Sequence, residues 1–164
     1  MLRSALIATF LLCASGAQAS IVKSTLSGAE LRGTATFRFV GFPLYEARLY
    51  TKGGAPLDWS SDFGLELNYM RNLTAHDLVE STMRELRRTG GALPLRAEFE
   101  RCYRDVRDGD QYAAVSKGPD QVHFWYNGTK VCSIKYPEIK TRFMAIFLGE
   151  NTRSSAFTRK LKGE

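Results

Sequence analysis

Arg32 and Tyr45 are two side chains whose types and spacing suit them to hold a charged ligand together. They flank the densest strand signal in the sequence, Leu31 to Tyr50. From Thr34 to Val40 the residues alternate at period two, with Ala35, Phe37 and Phe39 on one face. Gly41-Phe42-Pro43 interrupts the phase. Glycine tolerates a bulge and proline cannot donate a ladder hydrogen bond, so the chain must bend or turn there. A second run then places Tyr45, Ala47 and Leu49 on one face and Glu46 and Arg48 on the other. A guanidinium and a phenol beside a bent, aromatic-lined strand suit an anion held at one end of an apolar slot. Spacing alone leaves the ordinary alternative open, with Arg32 a solvated strand-entry charge and Tyr45 a core aromatic.

Other chemistries have little support in the residue types. There is no G-x-S-x-G, no Walker A and no G-x-G-x-x-G. His76 and His123 are the only histidines, and no Cys, Asp or Glu stands at metal-ligand spacing from either. Asp105, Asp108 and Asp110 resemble part of a calcium loop, but the spacing is wrong and a β-turn explains them better. Asn72 and Asn127 head glycosylation sequons, and the second is better explained as a hairpin turn. No metal, cofactor or catalytic residue is therefore expected.

Residues 1–19 read as a secretory signal peptide. Arg3 supplies the positive start, and Ala5 to Ala14 forms an apolar stretch too short to span a bilayer. Ala17-Gln18-Ala19 is a small-x-small cleavage site. The mature chain is expected to begin at Ser20 and to be periplasmic or secreted. Residues 20–164 are enough for one domain with a real core. The full sequence carries 23 Lys+Arg against 17 Asp+Glu, a formal charge of +6. The basic residues are scattered, the closest cluster being Arg84, Arg87 and Arg88. An exported protein without a basic stripe is a poor nucleic-acid binder. Weak attraction to anionic lipid head groups stays open. Beyond the leader, Cys102 and Cys132 either pair, as in many exported domains, or stay as two buried thiols.

The elements that must position these groups follow from pattern. Ile21 to Leu26 suggests a short strand, followed by the bent pair. Phe63 to Met70 alternates again. Thr74 and Asp77 make a capping box for a helix that Gly90-Gly91 stops. A second helix is predicted over Leu95 to Val106. Strands follow over Gln111–Ser116, Gln121–Tyr126 and Thr129–Ile134, the last two flanking the Asn127-Gly128 turn. A helix beginning near Pro137 and a short one over Ser155–Lys162 close the chain. Tight turns between strands and helices in blocks imply α+β, one antiparallel sheet with helices on one face.

At this level the sequence resembles the chalcone isomerase-like domain family, most closely its exported bacterial branch. The resemblance is carried by Leu26-Ser-Gly-Ala-Glu-Leu-Arg-Gly and Gly41-Phe-Pro-Leu-Tyr-Glu-Ala-Arg-Leu-Tyr. In register behind them come Leu65-Glu-Leu-Asn-Tyr, Gly109-Asp-Gln-Tyr, Tyr126-Asn-Gly and Ile146-Phe-Leu-Gly. It implies an open-faced β-sandwich, a long antiparallel sheet packed under helices, with a ligand between them. In the family's isomerases an Arg, a Thr, and a helical Tyr, Lys and Asn do the chemistry. In its fatty-acid-binding branch the Arg and a Tyr at the Thr position grip a carboxylate. Here the Arg matches Arg32 and the Thr position falls on Tyr45. The helical positions fall on Leu78, Ser81 and Glu85, so three polar groups of the isomerase are missing.

The resemblance therefore implies a non-catalytic binder of a fatty acid or similar amphipathic carboxylate, with Arg32 and Tyr45 as its ligand pair. An isomerase or lyase with a rearranged site and an accessory protein with a filled cleft are the alternatives. A wide apolar cavity favours the first, a polar cavity with a second acid-base group the second, and no cavity the third.

Overall fold

The computed structural model describes residues 19–164. The leader expected over residues 1–19 lies outside the described residues except for Ala19. Six strands run β1 (Ala29–Phe39), β2 (Phe42–Lys52), β3 (Gly64–Tyr69), β4 (Gln111–Ser116), β5 (Gln121–Tyr126) and β6 (Thr129–Lys135). They form one sheet in sequence order, every neighbour antiparallel. The helices are α1 (Ile21–Thr25), α2 (Ala75–Gly90), α3 (Arg96–Cys102), α4 (Ile139–Leu148) and α5 (Ser155–Leu161). This is the expected α+β, open-faced arrangement.

β1 and β2 are the longest strands and form a hairpin closed by Val40-Gly41, both at positive φ (49° and 80°). That backbone matches a type I′ turn. The expected interruption at Gly41 is thus a full reversal. Beyond it, Phe37 pairs with Tyr45, Ala35 with Ala47 and Gly33 with Leu49. The ladder slips between Leu31 and Gly33, leaving Arg32 as an extra residue in a bulge.

The predicted alternations place their apolar sides toward α2–α5. Ala35, Ala47, Leu49, Leu65, Ala114 and Phe124 join Leu78, Leu86, Phe99, Phe143 and Phe157 in the main core. The helices form where expected, with narrower bounds. Thr74 caps α2 by accepting from the Asp77 amide, and Asp77 returns the bond to Thr74 N. α3 ends at Cys102 rather than Val106, because Val106 pairs with Leu73 in a bridge.

Ile21–Thr25 is helical, not the expected strand. Ser20 caps it, its hydroxyl accepting from Lys23 N. The helix lies on the opposite sheet face, where buried Val22 packs with Tyr50, Ala113 and Val115. Five residues carry too little local preference to resist this packing. One short helix therefore covers part of the face expected to be bare.

Cys102 of α3 and Cys132 of β6 form a disulfide, with Cα atoms 5.3 Å apart. It fastens the helical layer to the sheet. Reducing it, or replacing Cys132 by Ala, should lower stability by about 3–4 kcal/mol for a loop of 30 residues. Urea unfolding with and without reductant checks this; identical midpoints would show that the bond contributes nothing.

Candidate ligand-binding site

Between the sheet and α2, α4 and α5 lies a cavity of about 330 Å³. Its sheet wall is Phe37, Tyr45, Leu65, Leu67, Tyr69, Tyr112 and Phe124. Its helical wall is Leu78, Phe143, Ile146, Phe147 and Phe157. The volume falls at the small end of the range for small-molecule pockets. The rings meet mainly edge to face, as with Tyr45 against Phe147 (6.3 Å) and Phe157 (6.1 Å). Such packing resists collapse into the space, since each ring is already seated against others.

The cavity opens where its lining is exposed, at Phe39 of β1, Asp77, Ser81 and Arg84 of α2, and Arg153 before α5. The charge at this mouth gathers around Glu85, which is nearly buried. Arg153 donates through Nε and Nη2 to Glu85 Oε1, both at 2.5 Å. Arg88 donates to Oε2 at 2.8 and 2.7 Å. Arg84 Nε stands 3.8 Å from Oε1. Burial pushes the Glu85 pKa up, but the Arg88 and Arg153 hydrogen bonds outweigh it and hold the carboxyl below its ordinary value. The lining thus carries two guanidiniums, Arg84 and Arg153, and two carboxylates, Asp77 and Glu85, with Arg153 and Glu85 paired to each other.

Four tyrosines present polar atoms inside. Tyr103 Oη shares a hydrogen with Thr82 Oγ1 at 3.1 Å, and Tyr112 Oη donates to Cys102 O at 3.3 Å. Tyr45 and Tyr69 hydroxyls have no hydrogen-bond partner among the described residues, yet no deeply buried polar atom is orphaned. These two hydroxyls therefore border open space. Burial pushes all four phenols up, Tyr112 to about 12, with Glu85 adding to the rise at Tyr45. At neutral pH each is a proton donor and none a base.

The structure places the two sequence-derived site residues apart. Tyr45 lines the cavity. Arg32 does not: its Nε donates to Lys162 O (2.8 Å), Nη2 to Gly163 O (3.3 Å) and Nη1 to Gly54 O (3.4 Å). The expected convergence fails for two reasons. The bulge re-aims Arg32 toward the chain end. And Tyr45 pairs with Phe37, five residues along β1, roughly 16 Å at strand rise. The cavity's cations are Arg84 and Arg153 instead. Arg84 was visible in the sequence only as part of a polar helix face. Arg153 gave no signal, since it meets Glu85 from 68 positions away.

The fold is the chalcone isomerase-like one, a ligand-sized space enclosed by an antiparallel sheet and helices. The crystal structure of a fatty-acid binding protein of Arabidopsis thaliana is similar at a TM-score of 0.65. It is 12% identical, and the match covers 84% of this chain and 88% of that one. No family model matches the sequence, and no curated protein matches it.

Glu85 links acid stability to this site. Its folded pKa is depressed, so its contribution is complete above the ordinary value of 4.5 and is lost as pH falls through the lower folded value. Glu85→Gln should cost about 1–2 kcal/mol at pH 7, less than for a fully buried pair because its arginine partners reach solvent. It should also flatten the acid limb below pH 4.5. Thermal melts from pH 3 to 7 test both, and parallel curves for the two proteins would contradict the linkage.

Proposed function

We propose that this protein is an exported, non-catalytic binder of a fatty acid or similar amphipathic carboxylate, of the bacterial branch of its fold family. One observation carries the reading: an apolar, ring-lined cavity with the guanidiniums of Arg84 and Arg153 at its mouth. The acyl chain lies among Phe37, Leu67, Phe147 and Phe157. The carboxylate sits at the mouth near Arg84 and Arg153, with the Tyr45 hydroxyl as a neutral donor. The fold neighbour, a fatty-acid binding protein, is consistent with this. An open cavity also speaks against a filled, vestigial cleft.

Arg84→Ala should weaken binding of a long-chain fatty acid by about 1 kcal/mol, since the side chain is largely exposed. Tyr45→Phe should cost less. Ala114→Leu, which fills the cavity floor, should abolish binding while Arg32→Ala lowers stability and leaves the headgroup contact intact. Displacement of a fluorescent fatty acid measures affinity, and melting measures stability. Full affinity in Ala114→Leu would remove the cavity from consideration.

Export has its own support. Glu66 is buried on the outer sheet face opposite Arg48, accepts from Ser20 Oγ (2.6 Å) and Val22 N (3.2 Å), and among the described residues makes no direct ion pair. Burying an unpaired carboxylate is costly. Cleavage after Ala19 creates an ammonium on Ser20, the residue already bonded to that carboxylate. The processed protein should therefore begin at Ser20 and lose stability in Glu66→Gln. Sequencing the N terminus of the exported protein decides this; a different first residue would reject it.

A further inference from the structure

The tip of the β1–β2 hairpin is built against the usual rules for a solvated turn. Phe39, Val40 and Phe42 are 56, 78 and 57% exposed, and neighbouring Met70 39%. Type I′ turns prefer Asn or Gly at their first central position, because φ is positive there. Here that position holds Val40, β-branched and at φ 49°, an outlier for its type. The chain thus accepts backbone strain and exposed apolar surface at one point. Such an outlier points to function rather than to stability.

Two cations frame the tip. Arg38 Nη1 donates to Gly41 O at 3.3 Å, and the Arg71 guanidinium lies 4.8 Å over the Phe42 ring. Among the described residues neither has a carboxylate partner. Apolar side chains leading and guanidiniums behind is the arrangement that seats a loop in an anionic lipid surface: rings enter the acyl boundary while cations stay at phosphate depth. Phe39 belongs both to this tip and to the cavity mouth. A tip seated in lipid therefore brings the mouth to the bilayer.

We infer that the Phe39–Phe42 hairpin tip, with Arg38 and Arg71, docks the protein on anionic phospholipid surfaces and turns the cavity mouth toward the membrane. This goes beyond the carboxylate-binding reading, and its test needs no ligand. The probes are vesicles of phosphatidylcholine alone and with one-fifth phosphatidylglycerol, sedimented with the naturally processed protein. Binding should favour the anionic vesicles and weaken with salt. Phe42→Asp should reduce vesicle partition by roughly ten- to hundredfold. Val40→Asn separates docking from folding. Asn-Gly is a preferred type I′ pair, so this variant should melt at or above the wild-type temperature while partition falls by roughly tenfold. Arg71→Glu should remove the anionic preference.

Fatty-acid displacement in vesicle-free buffer should be unchanged in Val40→Asn and Phe42→Asp. Failure of the cavity reading and failure of docking are therefore seen separately. Equal partition of Val40→Asn, Phe42→Asp and wild type would overturn the inference. So would indifference to phosphatidylglycerol. A wild type that self-associates through the tip and ignores vesicles would assign the patch to a second copy and also overturn it.

Discussion

The cavity depends on a close contact between β1 and the end of α5. Gly33 lies under that helix end, and a Cβ there would stand 2.8 Å from Lys160 O, with Leu161 O nearer still. Only a residue without a side chain lets the backbones meet. Beside it, Arg32 donates to the carbonyls of Lys162 and Gly163 that follow the helix. These carbonyls have no partner within the helix, and a cation at this end also meets the favourable pole of the helix dipole. The two adjacent residues, one by absence of bulk and one by charge, fix where α5 lies. α5 in turn brings Phe157 edge-on to Phe37 at 5.5 Å and closes that side of the cavity. Arg32 thus shapes the site by holding its wall.

Glu85 fixes the opposite wall. A carboxylate this enclosed costs free energy unless its oxygens are filled. Arg88 and Arg153 fill both, and Arg88 Nη1 also donates to Asn151 O at 2.6 Å. α2 is thereby tied to the segment leading into α5. Ion pairs of this kind add little net stability, but they define one geometry. Arg84, 3.8 Å from the same carboxylate, stands largely exposed at the mouth. The ion pairs that fix this wall are thus also the rim of the cavity.

What the sequence revealed follows from the range of the interactions. The six strands from β1 to β6, the capping box at Thr74 and the Asn127-Gly128 turn are local patterns, and all appear where the sequence pattern puts them. Cys102 and Cys132 were a plausible pair on compartment grounds alone, and packing of α3 against the sheet brings them together. Ile21–Thr25 was misread because its helical state depends on a groove made by distant strands. Alternation is enough to put Tyr45 on the face that lines the cavity. Arg32 was misplaced because a one-residue bulge is invisible to a period-two reading. Arg153 was missed because its partner lies in another layer, beyond any local pattern.

The chemistry open to the cavity is narrower than its fold allows. The helix positions at which the sequence resemblance puts the isomerases' Tyr, Lys and Asn carry Leu78, Ser81 and Glu85. Leu78 is buried against the lumen and offers no proton. Ser81 sits at the mouth, away from the ring-lined interior. Asp77 and Glu85 are the carboxylates of the lining, and the hydrogen bonds from Thr74 to the first and from Arg88 and Arg153 to the second hold both below their ordinary values. The phenols are raised, so they donate hydrogen bonds but yield no phenolate at neutral pH. A reaction that moves protons needs groups whose pKa values lie near the working pH. This lining holds its tyrosines far above that range, and Asp77 and Glu85 below it. Such a lining offers phenolic hydrogen-bond donors and apolar surface at neutral pH.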